Sequence, residues 1–467
     1  MRICLVTAFP PSGRQLNEYG LHLARELQQN PLISLTVLGD VLESVDFATD
    51  ADGNPLSIAS ELPDFDVVRC WKFNSSTNQL RILKALREIQ PDVVWFNLVF
   101  STFATQQHPI AAFSGLCIPA ITRAAGYRTH VTLHHIMEHV DMRSANIKAE
   151  RLFRAASSVA TRMLLLSNST TVLLPAYRRT LIERYKAREV HFRSHGILGA
   201  RPEYPDFPRR GNPDHRILAI GHWGTYKRLE CLFDAFPKVL EQVPNAKLVV
   251  AGANHHTTPG YWESFAKKCR GNDRYEFLGY VAEDDIPELY KNSSVVALPY
   301  NSSTGSSGPA HQACQYGVPI ISSDITEFRD MAADERMAVD FFPIGDPEGL
   351  ADRLTSLLTS PEKQHAMAEQ NFSAALRMTM PQIIRDYLRS FDLQQRAHSL
   401  PASRLPIFQQ WASRSQAYPF RDWSPWTATG HGAKTSNSHG AKAGTNQEKG
   451  KEQNVDQAGS AGNRKTG

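Results

Sequence analysis

A chain of 467 residues that is 42% hydrophobic and 21% charged has the profile of a globular protein, long enough for two or three domains with ample core. Its formal net charge of +4 is too small over that length to point to a nucleic-acid partner. The six cysteines lie far apart with no C-x-x-C pair, which favours free thiols in a reducing compartment over a disulfide framework.

The opening MRICLVTAFPPSG is too short an apolar run for a signal peptide and lacks a cleavage site, so residues 3–8 read as a first strand. There is no apolar run of about 18 residues or more, so no membrane span is expected and the expected location is cytoplasmic. Residues 9–14 form a turn. Residues 17–28 read as a helix with Leu21, Leu23, Ala24 and Leu27 apolar, and residues 35–38 as a second strand, which completes a βαβ unit. Beyond a loose stretch come a strand at 67–71, a helix at 77–89 and a strand at 92–96. Residues 103–116 have helical character but carry Pro109. A strand at 131–134, a helix at 149–162, a strand at 163–166 and a helix at 170–184, broken near Pro175, follow. A strand at 190–192 runs into His195. Residues 1–200 therefore predict a doubly wound parallel sheet.

Residues 201–214 hold Pro202, Pro205, Pro208 and Pro213 among mixed charges and read as a linker. Alternation restarts over 215–380. Strands are expected at 217–220, 248–251, 275–278, 295–298 and 318–322, and helices at 228–242, 262–268, 285–291, 310–316, 347–358 and 361–376. Pro237 should kink the first of these helices. Residues 383–391 form one more helix. Residues 400–426 are irregular, with Trp411, Tyr418, Phe420, Trp423 and Trp426 expected to pack on the body of the protein. Residues 427–467 have the composition of a disordered tail.

The most informative stretch is LPYNSSTGSSGPAHQACQYGVPIISSD, residues 298–324. An apolar strand passes into a Ser/Gly loop, then into a helix opened by Pro309 and stopped at Gly317, then into another strand. Free N–H groups at that helix start, backed by the helix dipole, suit an anion such as a phosphate. Taken alone, the loop reads more readily as ordinary punctuation before a helix.

The order of motifs resolves this. IGHWGTYKRLECLFDAF (220–236), VPNAKLVVAG (243–252), YEFLGYVAEDDIPELYKNSSVVALPY (275–300) and QACQYGVPIISSD (312–324) resemble the GT-B glycosyltransferases, in particular the retaining glycosyltransferase family 4. The likeness is specific over residues 215–375 and holds only in outline before them. It implies an α/β fold of two Rossmann-like doubly wound domains facing a cleft. It also implies transfer of a hexose from a nucleotide sugar to a hydroxyl acceptor, in polysaccharide or glycoconjugate biosynthesis, with no cofactor and no metal. The implied partners are the nucleotide-sugar donor and a carbohydrate, lipid-linked or small-molecule acceptor, with peripheral membrane contact left open.

The resemblance also distributes roles. Lys227 matches a lysine on the donor diphosphate, and His222 stands where the family has arginine, with Arg228 adjacent. A fixed cation there stabilises the leaving diphosphate more in the transition state than in the ground state. A cation pair at a helix start is electrostatically disfavoured unless an anion offsets it, so Lys227 and Arg228 are hard to read as idle surface. Gly305, Ser306, Ser307 and Gly308 would hold phosphate or sugar oxygens. The family's two glutamates, eight positions apart, are Thr304 and Gln312 here, assigned to the sugar and the ribose. Both can still hydrogen-bond, but neither carries charge. Glu327 is a candidate replacement carboxylate. His134, in VTLHH, matches a histidine near the reacting sugar, though a structural histidine at a strand end fits as well. Gly13 and Arg14 match, with one glycine missing, a loop after the first strand on the acceptor side.

His135, Glu138 and His139 fit H-x-x-E-H, a zinc-hydrolase pattern, but their place at a strand end argues against it. A GT-B epimerase or phosphorylase, and a non-catalytic nucleotide-sugar-binding relative, remain the alternatives.

Overall fold

The computed structural model describes residues 1–43, 65–140, 150–198, 202–205, 207, 215–254, 258–302 and 305–399. Thr304, most of the expected linker, the expected aromatic extension and the expected tail lie outside the described residues.

The first lobe is a seven-stranded parallel sheet. In chain order it comprises β1 (Arg2–Val6), α1 (Asn17–Gln28), β2 (Ser34–Asp40), β3 (Val67–Trp71), α2 (Asn78–Ile89), β4 (Val93–Leu98), α3 (Pro109–Leu116), α4 (Ile118–Ala124), β5 (Thr129–Leu133), α5 (Glu150–Leu164), β6 (Ser169–Val172), α6 (Pro175–Tyr185) and β7 (Val190–Phe192). The strand order is β3-β2-β1-β4-β5-β6-β7. Helices cover both faces, so a central strand such as β4, VVWFNL, is buried along its whole length.

The second lobe repeats the scheme with β8 (Arg216–Ile220), α7 (Leu229–Gln242), β9 (Lys247–Ala251), α8 (Tyr261–Lys268), β10 (Tyr275–Gly279), α9 (Ile286–Lys291), β11 (Val295–Leu298), α10 (Gly308–Gln315), β12 (Ile320–Ser323), α11 (Thr326–Glu335), β13 (Val339–Phe342), α12 (Pro347–Leu358) and α13 (Pro361–Ala375). Its order is β10-β9-β8-β11-β12-β13. Each sheet reverses its winding once, between β1 and β4 and between β8 and β11. Crevices at such switch points, beyond the carboxyl ends of the strands, are where doubly wound sheets bind ligands.

The last described helix, α14 (Met380–Ser399), returns to the first lobe. Met380, Ile383, Ile384, Tyr387 and Phe391 pack with Ile3, Leu5, Tyr19 and Trp95. The Tyr387 hydroxyl lies 3.0 Å from Thr132 Oγ1, and its ring is 4.3 Å from that of Trp95. Ion pairs also join the lobes: His22 and Arg25 of α1 meet Glu283 at 3.1 and 3.7 Å, and Arg179 of α6 meets Asp330 of α11 at 2.8 Å.

Several sequence expectations need correction. Residues 163–166 are not a strand: Met163 and Leu164 finish α5, and the strand is Ser169–Val172. That strand is polar yet wholly buried, because hydroxyl partners replace apolar packing; Ser169 Oγ, for example, is 2.7 Å from His130 Nδ1. The expected helix from residue 170 therefore starts at Pro175. Pro109 likewise opens α3 instead of interrupting a longer helix, since proline lacks only an N–H that a first turn leaves unpaired anyway. The elements α4, α11 and β13 were not anticipated.

Candidate active site

The site starts where β8 ends. Gly221 has φ +149°, and a Cβ built there would lie 2.5 Å from Lys227 Nζ. The missing side chain is thus the space into which Lys227 folds back. A 3-10 turn, Thr225–Lys227, makes that return, and Arg228 in the left-handed region leads into α7. The Lys227 ammonium rests 4.9 Å from the Tyr300 ring centroid and 5.8 Å from that of Trp223. Burial lowers its pKa to about 8. Among the described residues no carboxylate pairs with it. His222 lies exposed beside it, and its imidazole is held below its ordinary value by desolvation and then by the Lys227 charge.

The loop after β11 meets the same spot. Asn301 N–H donates to the Tyr226 carbonyl at 2.9 Å. Ser307 caps α10, its hydroxyl accepting from Ala310 N–H, with proline in the first turn. A Cβ on Gly308 would meet open space, whereas one on Gly305 would lie 2.9 Å from the His134 carbonyl. Glycine at 305 therefore lets the second lobe's loop touch the first lobe's β5 end. His134 itself is buried; its Nε2–H donates to Asn97 Oδ1 at 2.7 Å, and Asn97 donates to Thr7 Oγ1 at 3.1 Å. Burial, then His195 and His135, hold its ring neutral by lowering its pKa well below the usual value.

Behind the loop runs a chain of rings. The His134 and Tyr19 centroids are 4.7 Å apart, Tyr19 and His195 also 4.7 Å, and His195 and His311 5.0 Å. His311 Nδ1–H donates to the Ser307 carbonyl at 2.7 Å, and Nε2 stands 2.9 Å from Glu335 Oε2, both side chains buried. Burial opposes the imidazolium, but Glu335 and the Ser307 carbonyl outweigh it and raise the His311 pKa. Lys227, with no carboxylate partner among the described residues, and the start of α10 are carried by segments joined at Asn301, and beyond Gly305 stands the neutral His134; an ammonium and a helix start both favour an anion.

Residues 201–373 match the family model described as glycosyl transferases group 1. Over that stretch the chain is similar to the group 1 glycosyl transferases. An uncharacterised glycosyltransferase of Methanocaldococcus jannaschii is 31% identical over 144 residues, covering 30% of this chain and 35% of that protein. A phosphatidyl-myo-inositol mannosyltransferase of Mycobacterium leprae is 25% identical over 163 residues, covering 34% of this chain and 41% of that protein. The chain therefore spans well under half the length of these curated relatives. The fold extends much further than the sequence likeness. HepE of Anabaena, solved with UDP and glucose, aligns over 84% of this chain and 99% of its own with a TM-score of 0.58 at 15% identity. Sucrose-phosphate synthase of Thermosynechococcus elongatus aligns over 85% of this chain and 100% of its own with a TM-score of 0.63 at 14% identity. The fold is that of the GT-B glycosyltransferases.

Of the residues expected at the site, Lys227 and the loop before α10 are joined through the Asn301–Tyr226 hydrogen bond, and Gly305 meets the His134 carbonyl of the other lobe. Ser306 Oγ turns to Met331 Sδ at 3.8 Å. Gln312 Oε1 accepts from the buried Tyr290 hydroxyl at 3.0 Å, which leaves its amide N–H groups to meet a ligand. Arg228 diverges: its guanidinium is 3.8 Å from where a Gly345 Cβ would sit. Gly13 is exposed, and Arg14 is occupied by Asp40 at 3.6 Å and the Phe73 ring at 3.6 Å. Glu327, the candidate replacement carboxylate, is paired across the lobes with His139 at 3.4 Å. The H-x-x-E-H residues part company: His135 packs on Phe100, Glu138 accepts from the Tyr185 hydroxyl, and His139 bonds Glu327 and Thr180. Sequence reasoning missed Tyr19, Asn97, His195, His311, Glu335 and Tyr300. Only Asn97, a lone amide in the apolar run VVWFNL, carried a local signal.

Proposed function

We propose that the chain transfers a hexose from a nucleoside-diphosphate sugar to a hydroxyl acceptor, with retention of configuration. The observation that carries this reading is the Lys227 ammonium, desolvated, without a carboxylate among the described residues, and beside the start of α10. An ammonium so placed needs an anion, and a departing diphosphate supplies more charge as the bond breaks. In this reading Lys227 neutralises the diphosphate, with His222 beside it. The backbone N–H groups of Ser306, Ser307 and Gly308 bind its oxygens, and the Gln312 amide takes the ribose. Thr304 is assigned to the sugar. His134 lines the reacting centre, kept neutral by burial and oriented by Asn97. Closure of the lobes excludes water. We place the protein in the cytoplasm, where nucleotide sugars are made.

HepE is solved with UDP-glucose as well as UDP, so uridine diphosphate and its sugars head the test set. The experiment is a thermal-shift and calorimetric screen of nucleoside diphosphates and their sugars, followed by product analysis with the best binder. A clear shift that Lys227→Ala abolishes is the expected result. No shift with any nucleotide, or one indifferent to Lys227→Ala, overturns the reading. The absence of a charge at Gln312 favours one other outcome: tight binding with no turnover across acceptors, the mark of a non-catalytic binder.

A further inference from the structure

Helix α5 packs Phe153 and Leu164 inward, yet it also keeps large apolar groups on its outer face. Its buried residues are Ser157, Ala160, Thr161 and Leu164. Its outward face carries Leu152 and Val159, 73% and 47% exposed, with Ala155 and Ala156 between them and Leu166, 50% exposed, just beyond its end. At about 3.6 residues per turn these fall on a single stripe. Arg151 and Arg162, both exposed, border that stripe along one side. Leu152 and Val159 contribute no burial to the fold where they stand.

The stripe continues onto its neighbours. Helix α3 packs beside α5 and exposes Ile110 and Phe113; α2 packs beside α3 and exposes Leu80. Among the described residues, six of the twelve exposed large apolar side chains lie on this one side of the first lobe, where isolated ones would be scattered. Helices α2 to α5 also carry seven Lys and Arg against two acidic residues, a surplus above the formal +4 of the whole chain. The surface runs toward the carboxyl end of β5. Phe153 of α5 packs with Met137, Val140 and Phe100, and Phe100 packs on His135, next to His134.

We propose that the α3–α5 face docks on an anionic lipid bilayer, laying Ile110, Leu152 and Val159 into the headgroup boundary with Arg151 and Arg162 on the lipid phosphates. An apolar stripe bordered by arginines is the composition that an interfacial helix uses. Charge selects the occupant: a second copy of the chain would bring the same cationic border against itself. No helix among the described residues is long and apolar enough to cross a membrane, so attachment is peripheral. The docking rests on the transferase reading only in making the acceptor a lipid-linked hydroxyl compound at the membrane surface.

The test is flotation of the full chain with phosphatidylcholine vesicles and with phosphatidylcholine vesicles containing phosphatidylglycerol, at low and high salt. The wild-type chain floats with the anionic vesicles alone, and high salt weakens this. Leu152→Glu with Val159→Glu lowers the floated fraction at least tenfold, and Arg151→Gln with Arg162→Gln removes the preference for anionic lipid. Both double variants keep the wild-type melting temperature and nucleoside-diphosphate binding. A wild-type chain that stays down with anionic vesicles overturns the proposal, as does equal flotation of the Leu152→Glu, Val159→Glu variant. A dimer in sedimentation that this variant dissolves assigns the face to self-association instead. Flotation needs no sugar donor, so lipid docking and sugar transfer fail separately.

Discussion

Lys227 Nζ lies 4.9 Å from the centroid of the Tyr300 ring, and the residue after Tyr300 turns straight back to bond the Tyr226 carbonyl at 2.9 Å. The turn carrying the cation and the loop leading to α10 are therefore one assembly, although 73 positions separate Lys227 from Tyr300 in the chain. Removing the charge should act on the transition state more than on the fold. Lys227→Ala is expected to lower kcat/KM roughly 10²- to 10³-fold, the usual loss for one preorganised electrostatic group. A melting temperature close to wild type should accompany it. Unchanged kcat/KM would remove Lys227 from the chemistry.

The same lysine sets a pH limit. Burial brings its pKa to about 8 from an ordinary 10.5, so the free protein begins to lose the ammonium near pH 8. kcat/KM should fall with an alkaline limb near that value, whereas the limb in kcat should lie higher, because a bound diphosphate favours the charged form. Stability runs the opposite way. Between about pH 8 and 10.5 the unfolded chain binds more protons at this site, so its contribution to folding becomes less unfavourable as pH rises. A kcat/KM profile flat to pH 10 would contradict the assignment.

Gly221 gives an independent handle on the same ammonium. A Cβ there would sit 2.5 Å from Nζ, on a backbone with φ +149°. Gly221→Ala should push the lysine out of its niche and approach the activity loss of Lys227→Ala without changing the charge of the protein. Retained donor affinity in a folded Gly221→Ala protein would show that the position of Nζ is unimportant.

How far the sequence spoke for the structure follows the range of the forces involved. Residues 17–28 and 67–71 were legible to the residue because local periodicity and turn chemistry set them. The run Met163 to Leu166 misled because four apolar residues suit the end of a buried helix as well as a strand. Ser169–Val172 hid because hydroxyl pairing, which needs His130 from another strand, stabilises it. Phe328, Met331 and Ala332 carried a readable helical spacing for α11 that adjacent charges masked. At the site, Lys227 and the loop before α10 were readable from a family pattern. The series Tyr19, His195, His311 and Glu335 was not, since its members come from four separate segments that only tertiary packing unites.

The lobes meet through ion pairs as well as packing. Glu283 holds His22 and Arg25 at the rim, with its carboxylate held below its ordinary pKa chiefly by His22. The glutamate is largely exposed, so the contact stabilises closure by less than about 1 kcal/mol. Glu283→Ala should raise the KM for the sugar donor up to fivefold or so at low salt, with kcat little changed and the difference vanishing at high salt. A salt-independent effect would place Glu283 in some other role.

The buried pair behind the loop should matter far more. His311 and Glu335 lie 2.9 Å apart with side chains 2% and 3% exposed, so removing one partner strands the other in a dry interior. Glu335→Gln should cost roughly 3–5 kcal/mol in urea unfolding, and His311→Leu with Glu335→Leu should cost much less than either single change. The pH dependence has a definite sign. The folded pKa of His311 is raised above its ordinary 6.5, so the pair contributes fully below that pH, and the contribution fades as pH climbs through the folded value. The stability gap between wild type and Glu335→Gln should therefore be widest near pH 6 and narrow toward pH 9. Because His311 also grips the Ser307 carbonyl, Glu335→Gln should loosen donor binding in step with that loss; a gap constant from pH 6 to 9 would mean that His311 carries no proton in the folded protein.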